Sequence, residues 1–128
     1  MGNLISCSAI KKDTEEEEKE LYNLPDIKNY IYKYKCKINF SDLNKISDNQ
    51  IYNLYLCEND LILQNSVKKI SLIYNNILIW KTSESLFSFV YKNGEKNYQI
   101  ILEVENARDV SKNLKKIVYE LVDYYKNI

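Results

Sequence analysis

A strict alternation of side chains between Tyr30 and Phe40 is the feature that most limits how this chain folds. Every second residue is aromatic, aliphatic or a cysteine, and the lysines Lys33, Lys35 and Lys37 stand between them. A period of two places successive side chains on opposite faces of a β-strand. The segment therefore predicts a strand with a solvated lysine face and a buried face that carries Tyr30, Tyr32, Tyr34, Cys36, Ile38 and Phe40.

Six more apolar segments of strand length follow, separated by polar turns. The dipeptide Asn93-Gly94 favours a tight hairpin, since both residues tolerate a positive φ. The chain is thus expected to form about seven short strands, the later six at residues 51–57, 61–64, 67–74, 77–82, 86–91 and 98–104.

The segment after Val104 has a helical period instead. Asn106 is a favourable N-cap residue, and Asp109 three positions later makes a near capping box. Apolar residues then recur every three or four positions, in one stripe formed by Val110, Leu114, Ile117, Val118, Leu121 and Tyr125. One amphipathic helix after antiparallel strands needs a sheet to cover, so the predicted fold is mainly β, a bent sandwich or partly open barrel capped by the helix.

Composition narrows the function. The 128 residues suffice for about one domain, and 18 basic residues balance 18 acidic ones, which disfavours a nucleic-acid partner. There is no histidine, the commonest general base and zinc ligand. No nucleophile–base pair, metal cluster or phosphate-binding glycine loop is recognisable. We therefore expect a non-enzymatic protein without metal, cofactor or small-molecule substrate, the alternative being an enzyme with an unrecognised site.

The first seven residues fit a lipidation pattern. Gly2, Asn3 and Ser6 match the M-G-x-x-x-[ST] signal for N-myristoylation of Gly2. Cys7 is adjacent and available for S-palmitoylation. One myristoyl chain binds a membrane only reversibly, whereas two chains make the attachment stable. The pattern predicts a protein held at the membrane by its acyl chains.

Three regions follow from these patterns. Residues 1–12 form the acylated tip, and residues 13–26 form an acidic spacer or short helix. Residues 27–128 form the folded domain. The spacer contains Glu15, Glu16, Glu17, Glu18 and Glu20.

The folded domain resembles the pleckstrin-homology family. The resemblance rests on the strand at 86–91, a polar hairpin, the strand at 98–104 and the entry into the helix at Asn106. It implies seven strands in two bent sheets with a C-terminal helix. The helix lacks the tryptophan common in that family, and the sole tryptophan is Trp80.

The acylation pattern, the spacer and this domain together resemble the inner-membrane-complex sub-compartment proteins of apicomplexan parasites. That resemblance implies a location on the cytoplasmic face of flattened membrane sacs beneath the plasma membrane. It also implies that the domain is an interaction platform for proteins of the cortical membrane skeleton, during assembly of daughter cells.

A lipid-sensing module is the alternative function. Lys33, Lys35 and Lys37 are candidates for a weak contact with anionic lipid or phosphoinositide headgroups. The next strand begins at Gln50 and carries no cation as far as Asn53. A specific phosphate site needs several convergent cations, so we expect weak contact only.

Overall fold

The computed structural model describes residues 24–46 and 48–126. Gly2, Asn3, Ser6, Cys7 and most of the acidic spacer lie outside these residues. Within them one helix, α1 (Ala107–Lys126), follows seven strands: β1 (Tyr32–Ser41), β2 (Ile51–Leu56), β3 (Asp60–Gln64), β4 (Lys69–Ile73), β5 (Ile77–Ser83), β6 (Leu86–Asn93) and β7 (Lys96–Val104).

The strands form one antiparallel sheet in the order β4-β3-β2-β1-β7-β6-β5. The edges, β4 and β5, are not hydrogen-bonded to each other, so the described sheet does not close. The predicted fold class is confirmed: the chain is mainly β, with seven strands in an open arrangement and one C-terminal helix.

The connection between the two edge strands shows that the sheet is strongly bent. Only a 3₁₀ turn, Tyr74–Asn76, joins β4 to β5. Three residues bridge at most about 14 Å. In a flat sheet, six strand spacings would separate these edges by about 29 Å. The sheet therefore curls until its edges approach each other, and its inner faces enclose one core.

The core draws on every strand and on the helix. Its largest fully buried side chains come from β1, β2, β3, β6 and β7. The helix contributes Val110, Leu114 and Ile117, each of which the apolar stripe predicts to be buried. The residues of this core are contiguous, so α1 and the whole bent sheet stabilise one another by apolar burial.

The first strand departs from the prediction at both ends. Cys36 and Ile38 are buried as expected, but Phe40 is 40% exposed. The register with β7 shifts between Ile38 and Phe40, which breaks the alternation of faces. Tyr30 precedes the strand, and its ring lies 5.3 Å from that of Tyr55. It therefore contacts the outer face instead of the core.

That outer face is only partly solvated, because a second apolar cluster covers β2 and β3. Tyr55, Cys57 and Ile62 form it, and Ile27 packs on top. Residues 24–31 thus run across the outside of the sheet.

Hydrogen bonds tie this segment down from its first described residue. The Leu24 N–H donates to the Ser66 carbonyl at 3.0 Å, and Gln64 Nε2 donates to the Pro25 carbonyl at 2.7 Å. Contacts with the domain therefore extend at least three residues before the predicted boundary at Ile27.

The molecule has two distinct ends. At the loop end, the β1–β2 loop meets the β3–β4 turn, where Lys68 Nζ donates to the Lys45 carbonyl at 3.3 Å. The β6–β7 hairpin also lies there, and its loop is Gly94-Glu95, one residue later than predicted. Gly94 has a φ of 70° at the first loop position. At the helix end, α1 covers the opposite opening of the sheet.

Candidate functional site

The three predicted lysines lie together on the outer face of β1, and all are exposed. Their neighbours across the strand pairs are not cationic. Lys33 lies opposite Tyr55, with Nζ 5.7 Å from the ring centroid, and Lys37 lies opposite Glu103. A shallow depression of about 420 Å³ beside this row is lined by Lys35 and Lys37 but also by Glu103 and Glu105. The row is brought together without the second set of cations that a phosphate clamp requires.

A polar network that the sequence analysis missed fixes the start of α1. Asp109 does not complete the expected capping box. Its Oδ2 accepts hydrogen bonds from the Tyr34 hydroxyl at 2.7 Å and from Asn113 Nδ2 at 3.1 Å. Asn113 Nδ2 also donates to the Tyr34 oxygen at 2.7 Å. Burial, with the Asp109 hydrogen bond and charge adding to it, raises the pKa of Tyr34 to about 12.

A further hydrogen bond joins α1 to the edge strand β5. Trp80 Nε1 on β5 donates to the Ser111 hydroxyl at 3.2 Å. With the Tyr34 network, it sets where α1 crosses the opening of the sheet. These contacts anchor the first two turns of α1, and the last turns extend from that anchor.

Those last turns extend past the core, and their inner face stays uncovered. Val118 and Leu121 are half-buried, Val122 is 49% exposed and Tyr125 is 66% exposed. The prediction that Tyr125 belongs to the buried stripe is wrong. The apolar period of α1 continues to Tyr125 as predicted, but the sheet that would cover these residues does not extend that far.

An apolar groove results between α1 and the end of β4, which we call the helix-end groove. Its volume is about 480 Å³. Lys126 lies at its rim, and its walls are mainly Ile73, Tyr74, Val118, Leu121, Val122 and Tyr125. The sequence signal was the apolar stripe running to Tyr125. The facing wall at Ile73 comes from a distant strand and had no such signal.

A second depression of about 500 Å³ lies on the other side of the same turns. It shares Leu121 and Tyr125 with the helix-end groove, but Glu58 and Glu120 add negative charge. The end of α1 is thus a ridge with apolar surface on both flanks. Its groove side is basic at the rim, whereas its far side is acidic.

The described residues contain no group of three His, Cys, Asp or Glu side chains that could hold a metal ion. The predicted burial of Cys36 is confirmed, Cys57 is buried as well, and desolvation raises the pKa of the Cys36 thiol to about 12. A thiol with so high a pKa is a poor nucleophile at neutral pH.

Comparison with known proteins does not assign the chain. No family model matches it, and no curated protein matches it either. Within the described residues, no helix combines the length and the apolar character that a membrane crossing requires.

Proposed function

We propose that this chain is a non-enzymatic, membrane-peripheral interaction module, anchored by a myristoyl group on Gly2 and a palmitoyl group on Cys7. Its domain binds other proteins and helps to organise a cortical membrane skeleton. The observation that carries the interaction role is the uncovered apolar surface of the helix-end groove. The lipidation pattern carries the membrane role.

The groove has the composition of a protein-binding surface. Contiguous exposed apolar side chains on one domain commonly mark such a site, and tyrosine is a frequent anchor in interfaces. The half-open shape suits an apolar segment of a partner protein that lies along α1. The mixed charge beside Lys37 gives no comparable basis for a specific headgroup site.

The anchor and the groove lie at different ends of the domain. Leu24, the first described residue, is held at Ser66 in the β3–β4 turn, at the loop end. The acylated residues therefore join the domain at the loop end. The helix-end groove lies at the opposite end, where a cytoplasmic partner has access while the acyl chains are in the membrane.

The inner membrane complex of an apicomplexan parasite is the proposed location. This part of the proposal rests on the resemblance of the acylation pattern, spacer and domain to its sub-compartment proteins. An acylated N-terminal segment followed by a small interaction domain is the arrangement expected of a protein that recruits skeleton components to one membrane.

The order of acylation can be tested by fractionation of cells that express single variants. We expect Gly2→Ala to be entirely in the cytosolic fraction, because without myristate Cys7 does not meet its membrane-bound acyl transferase. Cys7→Ser should retain weak and promiscuous membrane binding, since one chain gives a partition constant of only about 10⁴ M⁻¹. Gly2→Ala remaining in the membrane pellet would refute this order.

The interaction role can be tested by proximity labelling from the native protein, with Gly2→Ala as the control for membrane attachment. A Val122→Gln/Tyr125→Gln variant should stay at the membrane but lose a defined subset of labelled neighbours. Both side chains are exposed, so the fold is not at risk. An unchanged set of neighbours would argue against the groove as the binding surface.

A further inference from the structure

The neutral chain is divided into an acidic segment and a basic domain. Residues 1–23 contain three lysines and six acidic residues, which leaves a charge of −3. Residues 24–128 hold the remaining 15 basic and 12 acidic residues, which leaves this part of the chain at +3. All six acids of the first segment fall between Asp13 and Glu20, directly after the apolar tip.

Basic residues lie at and near the helix-end groove. Lys126 lines it, whereas Lys115 lies one turn before Val118 with its Nζ 5.5 Å from the centroid of the Tyr119 ring. Lys115, Val118, Val122 and Lys126 follow one another at spacings of three and four, so they form a single row along α1. The two apolar side chains line the groove, and both lysines are exposed. Lys69, on the strand that leads to Ile73, is exposed as well. An apolar group joined to an acidic segment would match the apolar walls of the groove and its basic rim at Lys126. Asp60, which accepts a hydrogen bond from Ser71, is the acidic residue beside β4.

We propose that, before membrane attachment, the chain's own acylated tip occupies the helix-end groove. The myristoyl chain on Gly2 lies against Val118, Val122 and Tyr125, and the acidic segment from Asp13 to Glu20 runs along β4 past Lys69 to Lys126. This inference rests on the proposed myristoylation of Gly2 and adds a regulation of the proposed interaction site.

The length of the connecting chain permits this arrangement. Leu24 is held at Ser66, and seven residues of extended chain separate Ser66 from Ile73 at the groove, a distance of about 23 Å. Residues 13–23 span up to about 36 Å when extended. The tip therefore reaches the groove with residues 1–12 to spare. A volume of about 480 Å³ is also in the range of ordinary ligand sites.

The arrangement couples partner binding to membrane arrival. While the tip lies in the groove, the acyl chain is hidden from the bilayer and the partner is excluded from Val122 and Tyr125. Membrane insertion removes the tip and frees the groove. The apparent membrane affinity is the intrinsic affinity multiplied by the fraction of molecules in which the tip is free.

Vesicle sedimentation of the full chain tests the proposal. The protein is myristoylated by co-expression with an N-myristoyl transferase, and mass spectrometry verifies the added group. Vesicles of pure phosphatidylcholine avoid any attraction to the lysines. Val122→Gln/Tyr125→Gln should raise the partition coefficient at least about threefold, because the acyl chain loses its competing site. Lys115→Gln/Lys126→Gln should raise it in the same direction.

A matched control uses two apolar side chains of similar exposure on β5. Leu78→Gln/Ile79→Gln should leave the partition coefficient at the wild-type value, since these residues are 51% and 62% exposed but lie outside the groove. The methyl resonances of Ile73 and Val122 should shift on myristoylation of the wild type. High salt should raise wild-type binding by screening the acidic segment from the lysines.

The outcomes separate the two proposals. Equal partition of all myristoylated variants, with unshifted Ile73 and Val122 methyl groups, overturns the fold-back but leaves the membrane role intact. A groove variant that binds vesicles less well shows that the groove itself contacts lipid, which also overturns it. Dimers that the groove substitutions dissociate would assign the groove to a second copy. Failure to incorporate myristate would overturn the anchor and the fold-back together.

Discussion

Two tyrosine hydroxyls show how much the surroundings of one group decide its contribution. The Tyr34 hydroxyl donates to Asp109 and accepts from Asn113, so it joins β1 to the first turns of α1. The Tyr55 hydroxyl is buried and has no hydrogen-bond partner among the described residues. The hydrogen bonds of the Tyr34 hydroxyl compensate for the water contacts that it loses on burial, whereas the Tyr55 hydroxyl loses its water contacts without compensation.

Opposite effects are therefore expected from the same substitution. Tyr34→Phe should lower the free energy of unfolding by about 1–3 kcal/mol, because Asp109 loses the hydroxyl donor and Asn113 loses one of its two acceptors. Tyr55→Phe should leave it unchanged or raise it by up to about 1 kcal/mol. Urea denaturation of the two variants provides the comparison. Equal losses in both would mean that packing of the rings, and not the hydroxyls, decides their contribution.

The same network predicts a loss of stability in alkali. Burial raises the pKa of Tyr34 from 10.0 to about 12, so the folded state favours the neutral hydroxyl. This stabilisation is complete below pH 10 and is lost as the pH rises toward 12. Unfolding free energies measured across that window should fall more steeply for the wild type than for Tyr34→Phe. Parallel curves would show that Tyr34 titrates alike in both states.

At the scale of elements, the helix is longer than the surface that it covers. Leu114 is fully buried, whereas Leu121, two turns later, is only half-buried. Ile73 and the 3₁₀ turn approach this part of α1 from the side and leave the groove open. One continuous stripe in the sequence thus serves two purposes, core formation first and a surface groove after it.

Charge substitutions should reveal that division along α1. Leu114→Asp is expected to unfold the domain. The free energy of unfolding of a domain is only about 5–15 kcal/mol, and burying an unpaired charge costs a large part of it. Leu121→Asp should only lower the melting temperature, since the carboxylate can reach water. Circular dichroism melts distinguish the two. A native-like melt for Leu114→Asp would mean that α1 does not cap the core.

At the scale of the whole molecule, the arrangement of charge bears on lipid sensing. Lys33, Lys35 and Lys37 face Tyr55, Asn53 and Ile51 on one side, and Glu103 lies on the other. Such a row attracts anionic headgroups weakly but does not orient several donors on one phosphate. Exposed charges are also screened beyond about 8 Å at physiological salt.

The non-acylated chain should accordingly bind phosphoinositide vesicles weakly and with no headgroup preference. This binding should disappear when the salt concentration is raised from a low to a physiological value. Lys33→Glu/Lys35→Glu/Lys37→Glu should barely change localisation in cells when both acyl chains are present. Vesicle flotation and microscopy measure the two effects. Micromolar binding to one phosphoinositide at physiological salt, abolished by the triple substitution, would favour the lipid-sensing alternative.

Much of the fold could be predicted because short-range patterns control it. The period of two set β1, the polar turns separated the other strands, and the period of three to four set α1. The buried positions predicted for Phe40 and Tyr30 were wrong, because the register shift at Phe40 and the start of β1 depend on the partner strands. The lipidation pattern is local as well, and acylation of Gly2 and Cys7 stays a prediction.

The sequence by itself determined which elements form, since strand and helix periods are properties of neighbouring residues. It also determined the division of charge between the acidic segment and the domain. Only the tertiary structure decided that Ile73 faces Val122 across a groove, that Tyr34 meets Asp109 and Asn113, and that Lys37 lies opposite Glu103. Each of these contacts joins residues far apart in the chain. Strand pairing, the curvature of the sheet and the placement of α1, which no local pattern encodes, bring them together.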